Sequence, residues 1–313
     1  MPAEITPAPA EVRETEPMVK PEPPVGTPLS GPQAWLEAQI ALSRLGFSCG
    51  SIDGVVGPQT RAALQAFQAR ENLPTTGQLD EATRSYLVLT TPPLVEITLT
   101  TDDFARLQPL EPTWLGKSQQ TGLEYTSVLE RISERARANP KLIRQLNPSI
   151  DWDHVTLGAV VTVPDISTPR PEEPVAHLHI RLAERVLTAR SASGRLLARY
   201  PVSIAREVAK RPVGELRVTV VVPDPDYTFD PEVFPESEEG KQLGRKLRLP
   251  PGPNNPVGLA WIGLDRPGYG IHGTPSPEQV GRTESHGCFR LANWDAVSLL
   301  SMAWVGLPVF IEP

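Results

Sequence analysis

Along the chain, stretches with clear apolar periodicity alternate with stretches that have none. Residues 1–32 (MPAEITPAPAEVRETEPMVKPEPPVGTPLSGP) show no period and are dense in Pro and Glu. A stretch of this kind buries too little apolar surface to offset its chain entropy, and proline stiffens it, so it reads as a disordered Pro-rich tether. From residue 33 the pattern becomes helical. AWLEAQIALSRLGF sets Leu36, Ile40, Leu42 and Leu45 at helical spacing, and Gly46 ends the run. After turns at Asp53-Gly54 and Gly57-Pro58, PQTRAALQAFQAR predicts a second helix that buries Ala63, Leu64 and Phe67. LDEATRSYL predicts a third, with Asp80 as its N-cap. Residues 33–89 therefore read as a small three-helix bundle.

Residues 90–121 read as a Pro- and Thr-containing connector with a short strand in VEITLT. Over 122–165 the order is helix, turn, helix, strand. Leu129 and Ile132 face inward from the first helix, and Leu142, Ile143 and Leu146 from the second. Val160, Val161 and Val163 close this small α+β unit. A second linker, 166–174, precedes a change of period. From 175 to 313 the pattern is that of strands: two apolar runs around a Ser-Gly turn in HLHIRLAERVLTARSASGRLLARYPVSIA, then VGELRVTVVV, GLAWIGL, YGIHG and LPVFIE. One helix is predicted in NWDAVSLLSMAW, with Asn293 as its cap. The expected fold class is multidomain: a helical bundle, a small α+β unit and a mainly-β domain.

Composition narrows the function classes. A chain of 313 residues with 36 prolines and 39% hydrophobic residues fits two or three packed units joined by linkers. The net charge is −7 and no basic tract occurs, which argues against a nucleic-acid partner. No apolar run approaches the roughly 20 residues of a transmembrane segment. The N-terminus shows no apolar signal-peptide core. Two cysteines make no disulfide framework.

One of those cysteines lies in SHGCFR, Ser285 to Arg290. A thiol becomes a strong nucleophile when a base or a cation favours its thiolate. Cys288 has two candidate bases, His286 two residues upstream and His272 in YGIHGT, and spacing does not choose between them. Gly287 lets the backbone approach a carbonyl and direct N–H groups at its oxyanion. Arg290 offers a planar fork for a carboxylate. The set points to acyl transfer on a carboxylate-bearing substrate. Cys49, in the first bundle turn, reads as an incidental thiol. A zinc site built from His177-x-His179 with His272, His286 and Cys288 is the competing chemistry, but no HExxH or CxxC pattern supports it, and no metal or other cofactor is expected.

LSRLGF, IDGVVGPQTRAALQAFQ and LPTTGQLDEAT together resemble the peptidoglycan-binding domain of bacterial wall enzymes. KLIRQLNPSI and LGAVVTVP resemble a LysM module, which binds N-acetylglucosamine polymers. RYPVSIA, KRPVGELRV, LPPGPNNPVGLAWIGL, YGIHGTPSPEQVG, SHGCFRLANWDA and GLPVFIEP, in this order, resemble the catalytic domain of the L,D-transpeptidases. Ala205 stands where that family often has Gly, and Arg211 where it often has Thr.

The last resemblance implies Cys288 as the acylated nucleophile and His272 as the general base. It implies Ser285, His286, Gly287 and Gly273 as supports of the oxyanion site, and Arg290, Tyr269 and Asn255 as substrate contacts. The expected reaction releases D-Ala from a peptidoglycan stem peptide and passes the acyl group to an amine. The acceptor is a second stem peptide, a lipoprotein lysine or a free D-amino acid. The alternatives are an L,D-carboxypeptidase or hydrolase using the same site, and a non-catalytic peptidoglycan-binding protein. The substrate implies a periplasmic or cell-envelope location.

Overall fold

The computed structural model describes residues 26–29, 33–166, 173–234, 236–282 and 287–313. The expected tether and second linker lie mostly outside this set. The end of the tether does not: β1 (Thr27–Pro28) pairs with β2 (Val88–Leu89), and Leu29 is buried.

The predicted bundle forms as α1 (Ala34–Arg44), α2 (Pro58–Arg70) and α3 (Glu81–Tyr86). Asp80 caps α3 as expected, its carboxylate accepting the Thr83 N–H at 2.8 Å. Leu45, counted in the helical spacing, lies beyond the helix and is exposed; Ala38 and Ala41 are buried with Ile40 and Leu42. The segment read as a connector is structured. It holds β3 (Leu94–Thr98), α4 (Thr101–Ala105) and α5 (Trp114–Gln119). Then come α6 (Val128–Arg135), α7 (Pro140–Leu146) and β4 (Val160–Pro164). β3 pairs antiparallel with β4, so a boundary at residue 122 cuts through a paired unit. In β4, Val160 is exposed, while Val161 and Val163 are buried.

The bundle and this βααβ unit share one hydrophobic core. Ile40, Leu64 and Phe67 belong to the same buried cluster as Ile132, Ile143 and Val161. Two backbone hydrogen bonds seal the joint: Ile52 N–H to the Arg137 carbonyl and Asn139 N–H to the Ile52 carbonyl, each 2.8 Å. Arg44 staples the end of α1, donating to the carbonyls of Thr91, Pro92 and Asp165. A buried guanidinium is tolerable only with its N–H groups satisfied in this way.

The C-terminal half is an eight-stranded mixed sheet. Its strands are β5 (His177–Arg181), β6 (Val186–Arg190), β7 (Leu196–Pro201), β8 (Gly214–Pro223), β11 (Ala260–Leu264), β12 (Gly270–His272), β13 (Phe289–Arg290) and β14 (Pro308–Glu312), in spatial order β13-β12-β11-β8-β14-β5-β6-β7. The run around the Ser-Gly turn makes three strands rather than two, because Arg185 turns the chain at positive φ between β5 and β6. Alternation places Leu178 and Ile180 of β5, and Val309 and Ile311 of β14, in one buried core. Helix α9 (Asn293–Leu300) packs on β8, β11 and β12.

Between β8 and β11 the chain makes a hairpin, β9 (Tyr227–Phe229) with β10 (Leu247–Leu249), that carries α8 (Glu238–Leu243). This hairpin and α5 form a small core of their own, with Phe229 and Leu249 fully buried and Trp114 packed against them. The edge strand β7 is covered as well. Ser48 N–H donates to the Arg199 carbonyl, and Arg199 N–H donates to the Gly46 carbonyl, both at 2.9 Å. Gly46 has φ +84°, and a Cβ there would sit 3.0 Å from the Leu197 carbonyl oxygen, so this close approach requires glycine.

Candidate active site

His272 is the last residue of β12, which lies between β11 and β13. It is 4% exposed. Trp261, opposite it on β11, stacks on its ring with centroids 5.6 Å apart and planes 22° apart. The same indole covers Gly270, where a Cβ would come within 2.6 Å of it, so only glycine lets the tryptophan close over the strand. The His272 Nδ1 lies 2.6 Å from the Gly273 carbonyl oxygen. A carbonyl can only accept, so Nδ1 carries the hydrogen and Nε2 keeps its lone pair. Burial pushes the imidazole down to about 4, the Gly273 carbonyl opposes this, and Arg290 adds to it. At neutral pH His272 is an uncharged base in a fixed tautomer.

β13 runs parallel to β12 with His272 opposite Arg290, so Cys288 lies two residues before the partner of His272. The half-buried thiol donates to the Gly268 carbonyl at 3.4 Å. Burial raises its pKa, while the Gly270 backbone N–H and the Arg290 guanidinium lower it. Arg290 thus acts on both members of the pair, favouring loss of a proton from each. Its backbone is fixed by two bonds with Ser203: Ser203 N–H to the Arg290 carbonyl at 2.9 Å, and the reverse at 3.0 Å. Among the described residues the buried Arg290 Nε finds no hydrogen-bond partner. Among the described residues, a Cβ at Gly287 would meet nothing within 4 Å. Ser285 and His286 lie outside the described residues.

Two expected substrate contacts fare differently. Tyr269 is half-buried beside the site, with the Arg266 guanidinium 4.6 Å over its ring. Asn255 is corrected: it is fully buried, donating to the Pro250 carbonyl at 2.8 Å and accepting from Val257 N–H at 2.9 Å. It shapes the loop before β11 and has no exposed surface to offer a substrate.

Sequence reasoning missed Tyr227, on the hairpin. Burial pushes its hydroxyl up to about 12, with Cys288 raising it further and Arg290 opposing, so its phenol stands close enough to both to interact electrostatically. It also missed Asn293. Ala292, not Asn293, is the N-cap of α9. Asn293 is fully buried and donates to both Glu134 oxygens, at 3.2 and 3.1 Å, and to the Pro253 carbonyl at 3.1 Å. It accepts from Leu259 N–H at 3.2 Å. Its Oδ1 would lie 2.3 Å from a Cβ on Gly273 and 1.9 Å from one on Gly258, whose φ is +62°. Gly273 thus has two roles: it holds His272 and it makes room for Asn293. Through Glu134 on α6, the N-terminal half reaches the turn that carries the base.

The rival histidine pair does not join this site. His177 and His179 lie on β5, and three strands separate β5 from β12, roughly 19 Å at the usual strand spacing. Among the described residues no group of three or more His, Cys, Asp or Glu is placed to hold a metal ion.

Residues 176–311 match the family profile described as the L,D-transpeptidase catalytic domain. Over this C-terminal stretch the chain is similar to the L,D-transpeptidases. Residues 32–87 match a second profile, described as "Putative peptidoglycan binding domain". The chain is 27% identical over 190 residues to "Putative L,D-transpeptidase YkuD" of Bacillus licheniformis, an alignment spanning 59% of this chain and 93% of that protein. It is 36% identical over 118 residues to "Putative L,D-transpeptidase YqjB" of Bacillus subtilis, spanning 36% and 57%. A crystal structure of the L,D-transpeptidase from Xylanimonas cellulosilytica aligns with 95% of this chain and 100% of that one, at 16% identity and a TM-score of 0.38. No helix among the described residues is long and apolar enough to cross a membrane.

Proposed function

We propose that the chain cross-links peptidoglycan through a thioester on Cys288. The observation that carries this reading is the Nδ1–H bond of a neutral, buried His272 to the Gly273 carbonyl, on the strand beside that of Cys288 and Arg290. A base with a free Nε2 lone pair next to a protonated thiol suits proton transfer during attack rather than a standing ion pair. The Cys288 sulfur attacks the carbonyl carbon between the third residue of a stem peptide and its terminal D-alanine. The thiol proton passes to His272 Nε2, and backbone N–H groups at Gly287 and Cys288 receive the oxyanion. The C–N bond breaks and D-alanine leaves as an amine, taking that proton. An acceptor amine then attacks the thioester and gives a proton to His272. The C–S bond breaks and the proton returns to the sulfur. Arg290 holds a substrate carboxylate.

The three-helix bundle serves this reaction by keeping the enzyme on its polymer. It is packed on the sheet edge, not hung on a loose linker, so it presents glycan at a fixed orientation to the site. The substrate places the enzyme outside the cytoplasmic membrane.

The test is mass spectrometry of products from a purified disaccharide-tetrapeptide, with wild type beside Cys288→Ala. Dimers that have lost D-alanine, absent with the variant, are expected. Tripeptide monomer alone would make the protein an L,D-carboxypeptidase. No D-alanine release at all would overturn the enzymatic reading.

A further inference from the structure

A cavity of about 250 Å³ opens beside Arg290. That is below the ~300–1,000 Å³ of whole small-molecule pockets and is the size of a subsite. Its floor comes from the catalytic domain: Ser203, Thr274, Ser276 and Arg290. Its far wall comes from outside the matched catalytic domain: Trp114 and Lys117 of α5. Among the described lining residues two are cationic, Lys117 and Arg290, and none is acidic.

This wall is held rigidly. Trp114 stacks on Phe229 at 4.4 Å with planes 14° apart, and Phe229 is fully buried. The Glu239 carboxylate accepts the Trp114 and Leu115 N–H groups, each at 2.8 Å, tying α5 to α8. Lys117 Nζ lies 5.3 Å over the Trp114 ring. The half-buried ammonium is therefore prepositioned by a cation–π contact. Two like charges lining one small polar cavity repel each other, and a bound anion relieves this. The neutral donors around them suit a carboxylate, which accepts from several directions at once.

We propose that this cavity is a carboxylate subsite for the bound stem peptide, with Lys117 as a specificity-determining residue supplied by the N-terminal half. The enzyme then distinguishes a stem whose second or third residue carries a free carboxylate from one in which that group is a carboxamide. The inference rests on the peptidoglycan-stem reading above, and binding measurements separate the two. Charge-assisted hydrogen bonds are the stronger class, so tenfold is the expected scale of discrimination.

The experiment compares two synthetic tetrapeptide stems, carboxylate and carboxamide. Titration calorimetry on the full-length Cys288→Ala protein, with and without Lys117→Gln, gives Kd. Steady-state D-alanine release by the Cys288 enzyme gives KM and kcat. The expected result is a Kd and KM about tenfold lower for the carboxylate stem. Lys117→Gln should abolish that preference by raising Kd and KM for the carboxylate stem more than for the carboxamide stem, and Lys117→Arg should restore it. Equal affinity for both stems in the Lys117 protein overturns the proposal, as does equal weakening of both by Lys117→Gln. If the stems bind with the expected preference but no D-alanine is released, the subsite stands and the transpeptidase reaction on this substrate falls.

Discussion

The chain holds two cysteines, and their surroundings are opposites. Cys49 is buried in the N-terminal core, its sulfur 3.8 Å from the Phe47 carbonyl, and burial pushes its thiol up to about 12. Cys288 is also raised by burial, but a backbone N–H from Gly270 and the Arg290 guanidinium pull it back, and a neutral histidine stands on the neighbouring strand. Arg199 exerts the same kind of pull on Cys49 yet is opposed by Asp295 and Asp53. A thiol becomes a nucleophile through a base, a cation and an approach path, all three of which Cys288 has. Cys49 is a small hydrophobe at a joint.

The sharpest way to break this contrast is to remove each thiol in turn. Cys288→Ala should lower kcat for D-alanine release by at least about 10⁴-fold. Cys49→Ala should leave kcat within twofold and cost only stability, read as a lower melting temperature. Next in size is the base. His272→Gln should lower kcat about 10²–10⁴-fold while keeping the fold, checked by an unchanged circular dichroism spectrum. Wild-type kcat/KM should lose its acid limb only well below pH 6.5, because burial holds the imidazole down to about 4.

A smaller effect tests the link between halves. Asn293→Ala leaves the Glu134 carboxylate, Pro253 carbonyl and Leu259 N–H short of partners in a buried place. It should cost about 2–4 kcal/mol in denaturant unfolding and lower kcat more than it raises KM. The smallest and most conditional effect is pH-dependent. Burial pushes Asp295 up to about 7, so the folded state holds a proton there that the unfolded chain releases near pH 4. Stability from this group therefore falls as pH rises from about 4 to 7, whereas His272 works in the other sense, costing stability as pH falls from 6.5 towards 4. Asp295→Asn should gain on wild type by a few kcal/mol in order of magnitude between pH 4 and 7, with no further gain above. A difference that is flat across that range would contradict the assignment.

The sheet was legible because alternation is a local signal, whereas the proposed pairing of Cys288 with His272 rather than His286 was legible only through a family resemblance. Alternation marks β5, β8 and β14, while IHGT and SHGC-x-R carry the resemblance, and the structure sets the ends of these two motifs on paired strands. What was illegible depends on distant partners. Trp114 sits in a Pro-flanked stretch with no apolar period, and its burial follows from Phe229 and Phe234, far along the chain. Asn293 looks like a cap because asparagine favours caps, but three buried partners claim its side chain. Asn255 looks like a substrate contact in a Gly/Pro-rich loop and is instead the loop's internal tie. The separation of bundle, connector and α+β unit followed from composition, whereas one apolar core runs through all three.

The most direct measurement is peptide mapping of the full chain quenched with acid during turnover of a tetrapeptide stem. The account predicts a tripeptidyl thioester on the peptide that contains Cys288 and none on the peptide that contains Cys49. Cross-linked product forming with no adduct on Cys288, or an adduct on Cys49 alone, would contradict it.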